Sequence, residues 1–283
     1  MILWFDEAFH ALSVSVPMVE VEQLAMLVHH SMDAKTRAFH TTRHVFGIGA
    51  GMKPLQVLAA IFHDHVYYQL DDGFPVRLAA VLDGVTRHEN GLLILQPISS
   101  DDRATALCAD IFGFSPGQVL PLHCGMNEFL SAVTAARLLQ RHLKAPHLLA
   151  VVACIEATIP FRAPDANGQT AAQTLALRVQ AHISKWQPEF GLSVSDTASF
   201  VKTVVTDAVA LANRDVAGFT EADPGLCLSN TWLLIEESNA PLAAVGVYSL
   251  QEYRSALLRM DVFLSVFFSV AWGMGKKVPF YSQ

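Results

Sequence analysis

The sequence predicts an all-α fold, a helical bundle interrupted by an irregular insertion. Apolar residues recur at spacings of three and four along most of the chain, and no convincing run alternates apolar and polar residues as a half-buried strand would. Helix boundary signals favour the same class. Pro54 stands at a first helical position, Asp196 is suited to cap the start of a helix, and Pro160 follows a segment that would end near Thr158.

Nine segments carry the helical spacing, namely 20–31, 36–48, 54–68, 74–85, 127–143, 146–158, 170–186, 196–217 and 249–274. Between residues 69 and 126, glycines, prolines and a Ser/Asp cluster break the pattern into short pieces, which predicts an insertion over the core. We therefore expect a single domain over residues 1–283, with the insertion at 69–126 and a helical carboxy-terminal extension at 220–283.

The composition favours a chain that folds on its own and argues against one class of partner. Hydrophobic residues make up 52% of the chain and charged residues 16%, which leaves ample apolar surface to bury. The net charge of -7 disfavours nucleic acid, because a nucleic-acid partner would need a broad basic face. The four cysteines form no C-x-x-C pair, so neither a zinc knuckle nor a disulfide framework is expected.

The sequence also predicts a cytoplasmic protein without membrane contact. Asp6 and Glu7 stand near the amino terminus with no basic residue before them, which differs from a secretory signal. The most membrane-like stretch, 262–275, is shorter than the roughly 20 residues that a bilayer requires. We expect it to be a buried terminal helix or a subunit interface, and a homodimer is one alternative that follows.

Residues 54–68 read PLQVLAAIFHDHVYY and predict a central helix that is buried on every side. Its strongly ionisable residues are His63, Asp64 and His65. A buried carboxylate costs several kcal/mol unless it is compensated, so Asp64 requires a cation, a metal ion or a hydrogen-bond network. The alternative to a metal site is a structural pair of His63 and Asp64 within the core.

The preceding predicted helix carries His40 and His44, spaced so that both imidazoles lie on one face about a turn apart. A single histidine there would more often be an ordinary surface or core residue. Two on one face, next to a buried His-Asp pair, favour a metal site.

These stretches resemble the HD superfamily, and within it the group of predicted metal-dependent HD phosphohydrolases. The family motif YHNxxHV is similar to FHTTRHV at 39–45, and the motif FHDxVYD is similar to FHDHVY at 62–67. The element DNExxSA is matched by NEFLSA at 127–132, and an Ala-Thr at a helix end is matched at 157–158. The resemblance implies an HD-domain/PDEase-like helical bundle.

The same resemblance implies a divalent metal ion held by His44, His63, Asp64 and a later aspartate. Asp207 and Asp215 are the candidates for the last ligand, and about 12 Å would separate them along a continuous helix. Asp215 falls within the apolar arc of its helix, whereas Asp207 falls outside it. We therefore favour Asp215, while the metal could be Mn, Mg, Fe, Co, Ni or Zn.

The activity implied is hydrolysis of a small phosphate ester, with a nucleotide as one candidate. A divalent ion with open coordination positions lowers the pKa of bound water. His40 or His65 could donate a proton to the leaving group, and Arg37 or Arg43 could offset the phosphate charge.

Glu128 and Glu156 are further candidates, either to accept hydrogen bonds behind the ligands or to bind a second ion. Two other functions compete with hydrolysis. One is a catalytically silent metal- or nucleotide-binding module, since Tyr68 replaces a family aspartate and no histidine follows closely after Thr158. The other is a metal-free helical interaction protein that dimerises through its aromatic carboxy-terminal helix.

Overall fold

The computed structural model describes residues 1–71, 73–122, 124–160, 162–239 and 248–272. Helices account for 62% of the structure, and the sheet within the described residues has two strands. The all-α prediction is confirmed. The two strands lie within the predicted insertion, 69–126.

The described part of the chain contains thirteen α-helices, two β-strands and one 3-10 turn. In order, the helices are α1 (Ile2–Ala11), α2 (Met18–Ser31), α3 (Thr42–Gly49), α4 (Pro54–Phe62), α5 (Val76–Val81), α6 (Arg103–Phe112), α7 (Met126–Leu139), α8 (Ala145–Ala157), α9 (Ala171–Lys185), α10 (Gln187–Phe190), α11 (Val194–Asp215), α12 (Pro224–Ser238) and α13 (Leu250–Trp272). The strands are β1 (Thr86–Glu89) and β2 (Leu92–Leu95), and the 3-10 turn is Ala217–Thr220.

Helix α8 lies at the centre of the molecule. Every residue from Leu148 to Ala157 is buried, as expected for a helix that is apolar on all sides. It packs against α4, α7, α9 and α11, and one hydrophobic cluster extends through these helices from Phe5 to Ala212. The ends of α4 and α11 are thereby fixed next to one another in the core.

Two predicted helices are shorter in the structure, and both corrections concern residues of the candidate site. The predicted helix 54–68 stops at Phe62, and the predicted helix 36–48 begins only at Thr42. Residues 36–41 and 63–68 are therefore loops. The helix predicted at 74–85 is also shorter, since α5 covers Val76–Val81.

The other predicted helices correspond to α2, α7, α8, α9, α11 and α13 within a few residues, although residues 273 and 274 of the last prediction lie outside the described residues. Helices α1, α6, α10 and α12 were missed. The cap of α11 is also corrected, because Ser193 is the N-cap and its hydroxyl accepts a hydrogen bond from the Asp196 backbone N–H.

The segment 69–126 is more regular than predicted. It contains α5, an antiparallel hairpin and α6, and it packs onto α7 and α9. Asn90 and Gly91 connect the strands with φ values of 52° and 77°, as a two-residue hairpin turn requires. This Asn-Gly pair is the signal that the sequence analysis overlooked.

The predicted extension 220–283 contains α12 and α13, while residues 240–247 and 273–283 lie outside the described residues. Within the described part of the chain, no helix is both long and apolar enough to cross a membrane.

Candidate metal centre

Four side chains from three parts of the chain meet at one point, and they are the four predicted as metal ligands. His44 comes from α3, His63 and Asp64 follow the end of α4, and Asp215 is the last residue of α11. One ligand atom from each lies within 4.8 Å of the others, so the group can hold a metal ion. The side chain of His63 is fully buried, and the other three are 10–14% exposed.

The separations between ligand atoms suit a single ion. His44 Nε2 lies 2.9 Å from Asp215 Oδ1 and 3.8 Å from Asp64 Oδ2. His63 Nε2 lies 2.6 Å from Asp64 Oδ2 and 3.5 Å from Asp215 Oδ1. Ligands about 2.1 Å from a common ion would be about 3.0 to 3.4 Å apart. The four observed separations, 2.6 to 3.8 Å, extend to both sides of that range, so small movements of the side chains would place all four around one ion.

His63 is oriented as a metal ligand would be. Its Nδ1 lies 2.8 Å from the Ala60 carbonyl oxygen, which fixes the proton on Nδ1 and turns the Nε2 lone pair toward the carboxylates. Nε2 is buried and has no hydrogen bond of acceptable geometry among the described residues, although carboxylate oxygens are close. A cation between these atoms would satisfy Nε2 and both carboxylates at once.

The electrostatics of the cluster also favour a cation. Burial alone would raise the pKa values of Asp64 and Asp215, but the surrounding imidazoles hold the pKa of Asp64 well below its usual range and that of Asp215 at about 2. Burial would likewise lower the pKa of His63, yet the same carboxylates raise it well above its ordinary value. Two ionised buried carboxylates thus attract positive charge, which a metal ion could supply in place of protons.

His40 reaches the cluster from a loop, and not from the helix face predicted for it. Its Nε2 lies 3.8 Å from Asp64 Oδ2, and its ring centroid is 6.0 Å from that of His44. The backbone of this loop is not helical because its N–H groups bind Glu237 instead of preceding carbonyl groups. Both imidazoles lie at the site as predicted, but His40 belongs to the loop before α3 and only His44 to the helix.

Helix α7 holds the loop that carries His63 and Asp64. The Ser131 hydroxyl accepts a hydrogen bond from the Val66 N–H, and the Asn127 side-chain oxygen accepts one from the Tyr68 N–H, each at 3.1 Å. These bonds replace the helical bonds that the predicted helix 54–68 would have made. They also give a physical role to the NEFLSA stretch, whose Asn and Ser lie one helical turn apart.

Arg37 supports the same loop from the opposite side. Its guanidinium donates to the carbonyl oxygens of Asp64 and His65 and forms a buried ion pair with Asp71. The Arg37 side chain is fully buried, and its contacts stabilise the loop. A buried guanidinium that is already paired is poorly placed to offset the charge of a substrate phosphate, the role considered for it from the sequence. Arg43 is exposed on α3, and its predicted interaction with phosphate stays a prediction.

Glu128 lies between Asn127 and Ser131 on α7, half-buried beside the cluster. Burial and the negative charge of Asp64 raise the pKa of Glu128 to about 7, while His63 and His40 act in the opposite direction. A carboxyl group with this pKa can exchange a proton near neutral pH. Its predicted role, behind the ligands or at a second ion, stays a prediction.

His65 is fully buried and its ring packs against Phe62. Its Nδ1 lies 2.7 Å from the Phe62 carbonyl oxygen, and burial lowers its pKa to about 3, with a smaller effect of Arg37. The ring is therefore neutral at neutral pH. This environment disfavours His65 as a proton donor compared with His40.

The two remaining carboxylates considered from the sequence lie in other surroundings. Asp207 pairs with Lys53 at 2.6 Å on the surface. Glu156 is fully buried and pairs with Arg162 and Arg178. Both carboxylates are compensated by these cations, which is consistent with the choice of Asp215 for the ligand cluster.

Glu237, on α12, is a residue of the site that the sequence analysis missed. Its side chain is 2% exposed and contacts His40 through a short Nδ1–Oε1 hydrogen bond. A sequence signal was present, because Glu236 and Glu237 are the only charged residues of α12 and directly follow an apolar run.

Comparisons of the chain with protein families, with curated proteins and with solved structures found no match of any kind.

Proposed function

We propose that this protein is a metal-dependent phosphohydrolase of the HD type that acts on a small phosphate ester, with a nucleotide as one candidate. The observation that carries the proposal is the convergence of His44, His63, Asp64 and Asp215, with the His63 Nε2 lone pair turned toward two ionised carboxylates. The motif resemblance supports phosphate esters as the substrate class. A divalent ion in this position would polarise a phosphoryl oxygen and lower the pKa of water.

The side chains around the cluster supply the proton transfers that hydrolysis requires. His40 directs Nε2 toward the cluster, and although burial alone would lower its pKa, Asp64 and Glu237 raise it. His40 is thus suited to give a proton to the leaving group. Glu128, with a pKa of about 7, is suited to accept one from water near neutral pH.

The test is an assay of untagged protein against phosphate monoesters, linear and cyclic diesters and nucleoside triphosphates, each with Mn²⁺, Mg²⁺, Co²⁺ or Zn²⁺. We expect at least one ester to be hydrolysed, with activity abolished by EDTA and by His63→Ala. Asp207→Asn is the matched control and should retain activity, because Asp207 pairs with Lys53.

Other outcomes would replace the proposal. Metal binding without hydrolysis of any ester would favour the silent binding module. Absence of metal binding would favour the metal-free interaction protein, in which His63 and Asp64 form a core pair.

A further inference from the structure

Exposed apolar side chains are concentrated on helices α12 and α13. Among the described residues, twenty large hydrophobic side chains are exposed, and nine of them lie between positions 226 and 258. Single exposed apolar residues are ordinary, whereas a concentration of this kind marks an interaction site. The described part of the chain therefore leaves an apolar surface on these two helices uncovered.

Helix α12 has two different sides. On one side Thr231 and Glu237 are buried, and Leu234 packs against Val216 and Phe219. With 3.6 residues per turn, the side chains that are exposed from position 226 onward fall within an arc of about 160° on the other side. This arc, called here the α12 face, consists of Leu226, Leu228, Ser229, Trp232, Leu233 and Glu236.

Helix α13 adds a second apolar arc. It packs against α12, and Asn239 Nδ2 at the end of α12 lies 3.1 Å from Met260 Sδ. Ala256 is fully buried, whereas the large exposed apolar side chains at the start of α13 fall within an arc of about 140° that also contains Arg254. This arc, called here the α13 face, consists of Leu250, Tyr253, Arg254, Leu257 and Leu258.

The exposed apolar area is large enough for a stable dimer. A large apolar side chain presents roughly 150 to 250 Å² when it is fully exposed, and the nine side chains between 226 and 258 are 37–68% exposed. Together they present on the order of 1000 Å². A stable interface takes about 800 Å² from each partner, so one copy of this surface supplies what a dimer requires.

The charges on the two faces are complementary. Glu236 of the α12 face and Arg254 of the α13 face are both exposed, and neither forms an ion pair within the described part of the chain. When the α12 face of one chain lies on the α13 face of a second copy, twofold symmetry forms two Glu–Arg pairs.

The same charges disfavour an anionic lipid surface as the occupant. Among the described side chains of α12 and α13, the exposed charges are Arg254 and three acids, Glu236, Glu252 and Asp261. A helix that binds such a surface carries an excess of Lys and Arg instead. A second copy of this chain therefore fits the surface better.

We infer that α12 and α13 form the interface of a twofold-symmetric homodimer, in which the α12 face of each chain packs on the α13 face of the other. The inference does not depend on the proposed hydrolysis, because neither face contains a predicted metal ligand. The occupant is a second copy of the same chain.

Sedimentation velocity of the full chain, from about 1 to 100 µM and without metal or substrate, tests the inference. We expect the wild type to reach twice its mass of 30.9 kDa. Trp232→Asp and Leu258→Asp should each raise the Kd of the dimer by at least about 100-fold, because each change places two charges in the apolar interface. Val194→Asp is the matched control, since Val194 is 88% exposed on α11, outside both faces, and its replacement should leave the Kd unchanged.

A charge exchange tests the pairing of the two faces. Glu236→Arg or Arg254→Glu alone should raise the Kd by at least about 5-fold, because like charges then meet twice in the dimer. The double variant restores opposite charges and should return the Kd to within about 2-fold of the wild type. Circular dichroism should show unchanged helix content in every variant, since all the altered side chains are exposed.

Three results would overturn the inference. They are a wild type that stays monomeric at all these concentrations, a dimer that both Trp232→Asp and Leu258→Asp leave intact, and a charge exchange that restores nothing. A monomeric wild type that floats with phosphatidylcholine vesicles, when Trp232→Asp does not, would also overturn it and assign the surface to lipid.

Discussion

The imidazole of His44 lies 2.9 Å from the carboxylate of Asp215, although 171 positions separate them in the sequence. The contact joins α3 to the last residue of α11, and His63 Nε2 lies 3.5 Å from the same carboxylate oxygen. Because these groups converge in a partly buried place, positive charge shared among them would stabilise both the carboxylates and the fold.

Arg37 should contribute strongly to stability. Arg37→Ala would leave Asp71 buried without its partner and would remove hydrogen bonds to the carbonyl groups of Asp64 and His65. We expect the free energy of unfolding to fall by about 3 to 5 kcal/mol, measured by urea denaturation. Arg87→Ala is the control, because its ion pair with Glu89 is exposed and should contribute less than about 1 kcal/mol. Equal stability of the two variants would contradict the structural role of Arg37.

Glu128 should make the stability of the metal-free protein depend on pH. Its pKa of about 7 lies above the ordinary value of 4.5, so the folded state binds more protons than the unfolded state between these two values. The contribution of Glu128 to stability therefore falls as the pH rises from about 4.5 to 7. The loss is at most about 3 kcal/mol, because partial contact with solvent weakens the effect of burial on this side chain.

Glu128→Gln measures this effect. In EDTA-treated protein, the variant should gain stability relative to the wild type as the pH rises from 4.5 to 7, because the amide carries no charge to bury. Added divalent metal should reduce the difference, since a nearby cation favours the ionised carboxylate. A difference in unfolding free energy that stays constant over this pH range would show that Glu128 has no raised pKa.

The sequence was sufficient to predict the buried helices and the four side chains that converge, and the reasons are local. The apolar residues of α4 and α8 predict helices without reference to the rest of the chain, and Asp64 in such surroundings requires compensation. Asp215 was preferred to Asp207 because Asp215 lies within the apolar arc of α11 and Asp207 lies outside it. The structure places Asp207 beside Lys53 and Asp215 beside His44.

The loops could not be predicted, because distant groups determine them. The chain leaves the helical conformation after Phe62 where side chains of α7 capture the N–H groups of Val66 and Tyr68. It enters α3 late because Glu237, 197 positions away from His40, binds three consecutive N–H groups. Helical spacing alone gives no indication of such long-range competition for backbone hydrogen bonds.

We propose that Asp215 and its three partners hold one divalent ion, and elemental analysis of untagged protein measures this. After incubation with metal and removal of the excess, we predict about one ion per chain in the wild type and in Asp207→Asn, and almost none in Asp215→Asn. Added metal should raise the melting temperature of the wild type and of Asp207→Asn, but not that of Asp215→Asn. A wild type without bound metal, or an Asp215→Asn variant with the same metal content as the wild type, would show that these four side chains do not form one metal site.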